Sequence, residues 1–170
     1  MKDLKKFKKI DWSDIPDLGL YSDQVVDFID NKLISFFPDT LNLSPSMINN
    51  YVKKGILPKP IKKKYYKEHI AYLIVVIILK QTIPIAKIKE GIDLQMKIMD
   101  TEDGFNQFMQ ILEDAYNKII ESINDKKKIV YEGFVADKKN ISITLAINAF
   151  CFQTITTYIL NRGGLYAEQF

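Results

Sequence analysis

The chain holds one cysteine and one histidine in 170 residues, with seven glycines and six prolines. A single thiol, Cys151, excludes a disulfide scaffold and a thiolate zinc site, because both need several sulfurs at set spacings. A single imidazole, His69, excludes every catalytic or metal scheme that needs two. So little Gly and Pro leaves no room for a collagen-like, linker-like or low-complexity protein. There is also no P-loop, no dinucleotide-binding glycine pattern, no His-Glu-x-x-His and no Gly-x-Ser-x-Gly. Cys151 lies in an apolar stretch and reads as a buried small residue rather than a nucleophile. His69 stands beside Glu68 at a helix start and reads as a surface or capping group. The expectation is a protein that is not an enzyme and carries no cofactor and no metal.

Long apolar runs are almost as scarce. No stretch of 7–15 apolar residues follows the N-terminal lysines, so no signal peptide is expected. Ile70 to Leu79 is aliphatic but too short to span a bilayer. Ile141 to Leu160 is long enough and free of charge. It contains Ser142, Thr144, Asn148, Gln153, Thr154, Thr156 and Thr157, however, and unpaired polar groups are costly in hydrocarbon. It therefore reads as a helix at a core or subunit interface, in a cytoplasmic protein with no membrane partner. A length of 170 residues with 47% apolar and 26% charged residues is that of about one soluble globular domain.

What is present is an uneven charge. From Thr40 to Lys67 there is no Asp or Glu, while Lys53, Lys54, Lys59, Lys62, Lys63, Lys64 and Lys67 bring +7 to that window. The net charge is +3, so the remainder of the chain carries −4. A basic patch on a mildly acidic body is the electrostatic footprint of a polyanion binder.

Hydrophobic spacing predicts an almost all-α chain with one small β-hairpin wing. Residues 1–21 read as an irregular arm, stapled by Trp12, Ile15 and Leu18. Ser22 is a candidate N-cap for a helix to about Phe36, stopped by Pro38. Ser44-Pro45 reads as an N-cap with proline at the first helical position, and the helix it opens runs to about Lys54. Gly55 sits where a left-handed C-cap belongs. Pro58 and Pro60 suit a turn, and Ile61 to Tyr66 the second arm of a hairpin. Ile70, Leu73, Ile74, Ile77 and Ile78 predict a central helix, and Ile85, Ile88 and Ile92 another. Residues 100–104 read as a link with Asp103 as cap, ahead of a long amphipathic helix from Phe105 to Ile123. The charged stretch 125–139 reads as a short helix or loop, and a last helix spans about Ser142 to Arg162.

The segment from Pro45 to Lys54 carries the most information. Wound at roughly 100° per residue, it gathers Met47, Ile48, Tyr51 and Val52 within about 140° of arc. Ser46, Asn49, Asn50, Lys53 and Lys54 take the other side. An amide-and-lysine face on a short helix suits the major groove, where Asn pairs with adenine and Lys with guanine or phosphate. The expected DNA-contact set follows. Ser46, Asn49, Asn50 and Lys53 face base edges, with Ser44 at the helix start. Tyr51, Lys54 and the wing residues Lys59, Lys62, Lys63, Lys64, Tyr65 and Tyr66 hold phosphates.

The residues from Leu43 to Pro60, then Lys62 to Leu73 and Ile83 to Ile88, resemble the MerR-type winged-helix DNA-binding domain. A bacterial family known as a domain of unknown function, whose core the Asn49-Asn50-Tyr51-Val52-Lys53 segment resembles, takes in most of the chain. The MerR-like resemblance covers about residues 22–95. It implies a backbone-contacting role for Tyr51, a helix exit at Gly55, Ile56 and Leu57, and a wing cation and wing tyrosine at Lys63 and Tyr65. This sequence departs from the pattern with Asn49 for the recognition-helix arginine, Val52 for a glutamate, and a shorter wing. The expected organisation is an arm over 1–21, a winged helix-turn-helix over 22–98 and a helical dimerisation or effector region over 99–170. The expected function is a transcriptional regulator that binds double-stranded DNA as a homodimer through its C-terminal helices. A helical adaptor that no longer binds DNA is the alternative, and no feature names a small-molecule effector.

Overall fold

The computed structural model describes residues 4–124 and 130–164. Six α-helices account for most of them: α1 (Ser22–Ile29), α2 (Pro45–Lys53), α3 (Lys67–Leu79), α4 (Ile85–Gln95), α5 (Thr101–Asn124) and α6 (Ile141–Asn161). No strand occurs among the described residues. The expected hairpin is reduced to two isolated antiparallel bridges, Ile61 with Lys64 and Leu20 with Tyr65. Part of the predicted 125–139 link lies outside the described residues, as do the ends of the expected arm and C-terminal region.

α3 is apolar on nearly every side, so only a central position can satisfy it. Ile70, Leu73, Ile74 and Ile77 are buried there, and α5 and α6 pack against it and against each other. The phenyl rings of Phe7, Phe36, Phe37 and Phe150 cluster with Tyr116 at centroid separations of 4.8–6.4 Å, mostly edge to face. This cluster joins the arm, the segment after α1, α5 and α6 in one core. Burial pushes the Tyr116 hydroxyl up to about 12. Burial likewise pushes the Cys151 thiol up to about 12, which favours its protonated form.

The arm contributes more than the three staples expected of it. Leu4, Phe7, Ile10 and Ile15 are all buried, whereas Leu18 is exposed. Its extended backbone finds partners on the side chains of α5. Asn117 accepts from the Phe7 N–H and donates to the Phe7 carbonyl, both at 2.8 Å. Glu113 accepts from the Lys9 N–H at 3.0 Å, and Asn106 from the Trp12 N–H at 3.0 Å. Three polar residues spaced along one side of α5 thus act as a surrogate strand edge.

Several helix ends fall differently from the expectation. Ser22 is the first residue of α1 rather than its cap, and the Tyr21 N–H before it is accepted by Gln24. α1 widens into a π-turn over Asp30–Ile34 instead of continuing as α-helix to Phe36. α5 opens two residues before Asp103, because Asp100 is the acid whose carboxylate accepts the Asp103 N–H at 2.8 Å. α6 ends at Asn161, one residue before the expected Arg162: Gly163 and Gly164 both have positive φ, and their N–H groups return to Leu160 and Ile159. Asn161 and Arg162 then reach Asp39 at 2.9 Å each, tying that end to the loop behind α1.

Candidate nucleic-acid interface

α2 is built by local signals at both ends. The Ser44 hydroxyl accepts from the Met47 N–H at 3.3 Å, and Pro45 fills the first helical position, where no donor is needed. At the other end Gly55 takes φ +68°, its N–H returns to the Val52 carbonyl, and the Ile56 N–H returns to Tyr51. This is a Schellman closure, and it turns Ile56 and Leu57 back into the core.

The helix buries Ile48 and Tyr51 and half-buries Met47 and Val52. Ser46, Asn49, Asn50, Lys53 and Lys54 are exposed, and Ser44 is half-buried at the cap. Among the described residues the amide and ammonium groups on this face find no hydrogen-bond or ion-pair partner, and Ser46 is engaged with the Ser44 hydroxyl at 2.9 Å. The face presented to solvent carries no acid of its own, although Lys54 borders a depression it shares with Glu90 and Asp93 of α4.

The segment after α2 continues that character. Lys59, Lys62 and Lys63 are exposed, Lys64 is half-buried over the Tyr21 ring at 5.4 Å, and Tyr66 is partly exposed. Ile61 and Lys64 exchange backbone hydrogen bonds of 3.0 and 2.9 Å around a two-residue turn. The turn residues are Lys62 at φ +48° and Lys63 at φ +65°. A turn of this I′ type favours Asn and Gly; for lysine the left-handed conformation costs about 1–2 kcal/mol per residue. Strain of this kind concentrates at functional sites.

Burial corrects two of the phosphate contacts expected from the sequence. Tyr51 and Tyr65 are 4% and 3% exposed, so both rings belong to the core and seat the surface instead of forming it. Tyr65 also pairs with the arm: its N–H and carbonyl bond Leu20 at 2.8 and 2.9 Å. The turn Lys62-Lys63 thus falls inside the expected second arm Ile61 to Tyr66, and beyond the Ile61–Lys64 bridge that arm leans on Leu20. Gly19 permits this approach, since a Cβ there would stand 2.8 Å from the Tyr66 ring.

His69, expected at the surface or at a cap, proves to be a buried capping group. Its Nδ1 accepts the Tyr66 N–H at 3.2 Å, which leaves the proton on Nε2 to donate to the Lys59 carbonyl at 3.1 Å. One ring thereby fixes both the start of α3 and the loop that carries Lys59. Its position at the third residue of α3 was the available signal, but nothing local points to Lys59. Lys67 is withdrawn from the basic surface by its ion pair with Asp17 at 2.7 Å.

A family model for a domain of unknown function, DUF1836, matches residues 10–119, well over half of the chain. The chain belongs to the DUF1836 family. The DUF1836 match opens within the arm and closes within α5, so it takes in α2, the lysine turn, His69 and the α5 residues Asn106, Glu113 and Asn117. α6 lies beyond it. No curated protein and no solved structure matches the chain.

Proposed function

We propose that this DUF1836 protein is a cytoplasmic, non-enzymatic transcriptional regulator that binds double-stranded DNA sequence-specifically. In this reading α1 and α2 form a MerR-like helix-turn-helix within residues 22–98, and residues 58–66 form its wing. Ser46, Asn49, Asn50 and Lys53 read base edges, while Lys54, Lys59, Lys62, Lys63 and Lys64 hold phosphates. The observation that carries it is the uncommitted amide-and-lysine face of α2, continuous in sequence with a strained turn whose two central residues are both lysine. Amides that bond nothing among the described residues are available to bases, and lysines without ion pairs there are available to phosphates.

The region 99–170 supplies the dimer. Ile141, Leu145, Phe152 and Leu160 are exposed along one side of α6, opposite the buried Ile147, Phe150 and Cys151. α6 is also long and apolar enough to cross a membrane, with a mean hydropathy of 1.5. Because its inner side is already buried in the core, the outer side suits a second copy, and the helix carries no charge to repel one.

Affinity for duplex selected from a random library, measured across salt concentrations, tests the reading. With about five phosphates neutralised per protomer, log affinity against log salt should slope between about −4 for a monomer and −9 for a dimer. A flat salt response on every duplex refutes it. The outer face of α6 favours one competing reading, a helical adaptor that binds no DNA. Recovery of a protein partner that survives nuclease treatment, together with that flat response, would establish the adaptor instead.

A further inference from the structure

A cavity of about 330 Å³ lies between α3, α4, α5 and the start of α6. Its walls are apolar: Val75 and Leu79 from α3, Ile88 and Ile92 from α4, Phe105 and Phe108 from α5. The size and lining are those of a small-molecule site, in which a few polar groups fix orientation. Those groups sit at its solvent edge. Lys87 and Lys139 both border the cavity and are exposed, as does the Ser142 hydroxyl. Lys87 is occupied by Glu90 at 2.7 Å. Lys139 and Ser142 have no side-chain partner among the described residues, so one uncompensated positive charge stands beside an apolar hole.

Gly91 gives a way to fill the hole. It lies mid-way along α4 and lines the cavity, and a Cβ added there would meet nothing within 4 Å. Glycine inside a helix is less stable than alanine, and no neighbour requires it at this position. A larger side chain placed there therefore has room to extend along the cavity wall.

We propose that this cavity binds a free monocarboxylate with an unbranched apolar tail. The tail lies among the α3, α4 and α5 side chains, and the carboxylate meets the Lys139 ammonium and the Ser142 hydroxyl. A cavity of about 330 Å³ stands at the small end of the range of small-molecule sites, about 300–1,000 Å³, which suits a medium-chain carboxylate such as decanoate. One free cation matches one negative charge. The site is separate from the α2 surface and stands or falls independently of DNA binding.

The test is calorimetric titration of the full-length protein with decanoate, decan-1-ol and decylamine. Trp12 emission provides a second signal, because its ring lies 6.1 Å from Phe105 at the cavity wall. Decanoate should bind saturably at one site, decan-1-ol more weakly and decylamine least. Lys139→Gln should weaken decanoate about five- to tenfold, the loss of one charged contact, and leave decan-1-ol unchanged. Gly91→Leu should abolish binding of both while melting no lower than the parent. Gly91→Met, with a flexible chain entering the same space, serves if the leucine variant does not fold. Absence of saturable binding, or undiminished binding in the folded Gly91 variant, overturns the site. Equal affinity for decanoate and decan-1-ol overturns the carboxylate assignment.

Discussion

Both α2 and α6 bury one side in the common core, and the chemistry of what each leaves outside is opposite. α2 exposes serine, asparagine and lysine whose hydrogen-bonding groups are almost entirely unspent among the described residues. α6 exposes Ile141, Leu145, Phe152 and Leu160. A surface that keeps polar groups unspent suits a polar partner; one that keeps large apolar groups wet suits an apolar partner. In each helix the inner side serves the fold and the outer side is free to serve function, so paired substitutions across one helix should separate the two.

The largest effect is expected on α6. Phe150 is fully buried against Phe37 at 5.5 Å, and its truncation to alanine should cost about 3–5 kcal/mol by denaturant unfolding. Leu145→Glu, on the opposite side, should leave the fold intact but convert a dimer to a monomer by light scattering. If Leu145→Glu unfolds the protein as Phe150→Ala does, the outer side is structural after all and the contrast between the helices fails.

On α2 the division is sharper, because among the described residues the outer amides and ammonium groups have no hydrogen-bond or ion-pair partner. Asn49→Ala should change stability by less than about 0.5 kcal/mol. It should relax base preference at one operator position by about 1–3 kcal/mol, read by competition between single-base variants of a selected duplex. A uniform loss over all sequences would reassign Asn49 from base reading to phosphate contact.

How much of this contrast was legible beforehand depended on the range of the interactions. The ends of α2 are written locally: Ser44-Pro45 opens it and Gly55 closes it, each through bonds within a few residues. α3 is legible because ten aliphatic-rich positions leave it no exposed side. The arm is not. Leu4, Phe7 and Ile10 recur at an interval of three, and the α5 side chains that receive the arm's N–H groups, Asn117 for Phe7, Glu113 for Lys9 and Asn106 for Trp12, lie between 94 and 110 residues away. The wing fails for the same reason, since Tyr65 pairs with Leu20 and no pattern within 58–66 announces it. Tyr51 and Tyr65 were misplaced for another reason: a phenol suits a core or a phosphate equally well, and only the surrounding fold decides. Asp100 and Asp103 illustrate the usual uncertainty at a helix start, two acids at cap spacing with only one used.

The lysine turn offers a gain instead of a loss. Lys63 holds φ +65°, so Lys63→Gly should relieve strain and raise stability by about 1 kcal/mol, seen as a higher denaturation midpoint at constant slope. The same change removes a cation, so it should weaken every duplex alike and flatten the salt slope by about 1. Lys63→Ala keeps the strain and loses the charge, which separates the two effects. If glycine stabilises and binding is untouched, the strain serves something other than phosphate contact.

The smallest effect belongs to the tie that fixes the far end of α6. Hydrogen bonds from Asn161 and Arg162 hold the Asp39 carboxyl below the usual carboxylate range. A carboxyl with a lowered folded-state value stabilises the fold at every pH above its ordinary range, and that contribution is lost as pH falls through the folded value. Stability should therefore decline on acidification below about pH 4, with part of the decline absent in Asp39→Asn, which cannot titrate. Because Arg162 is about half exposed, with 46% of its side-chain surface accessible, the tie should be worth less than about 1 kcal/mol at neutral pH. Raised salt should shrink it further, whereas the Phe150 penalty, being apolar, should persist. Parallel acid profiles for the parent and Asp39→Asn would show that α6 is anchored by its buried side alone.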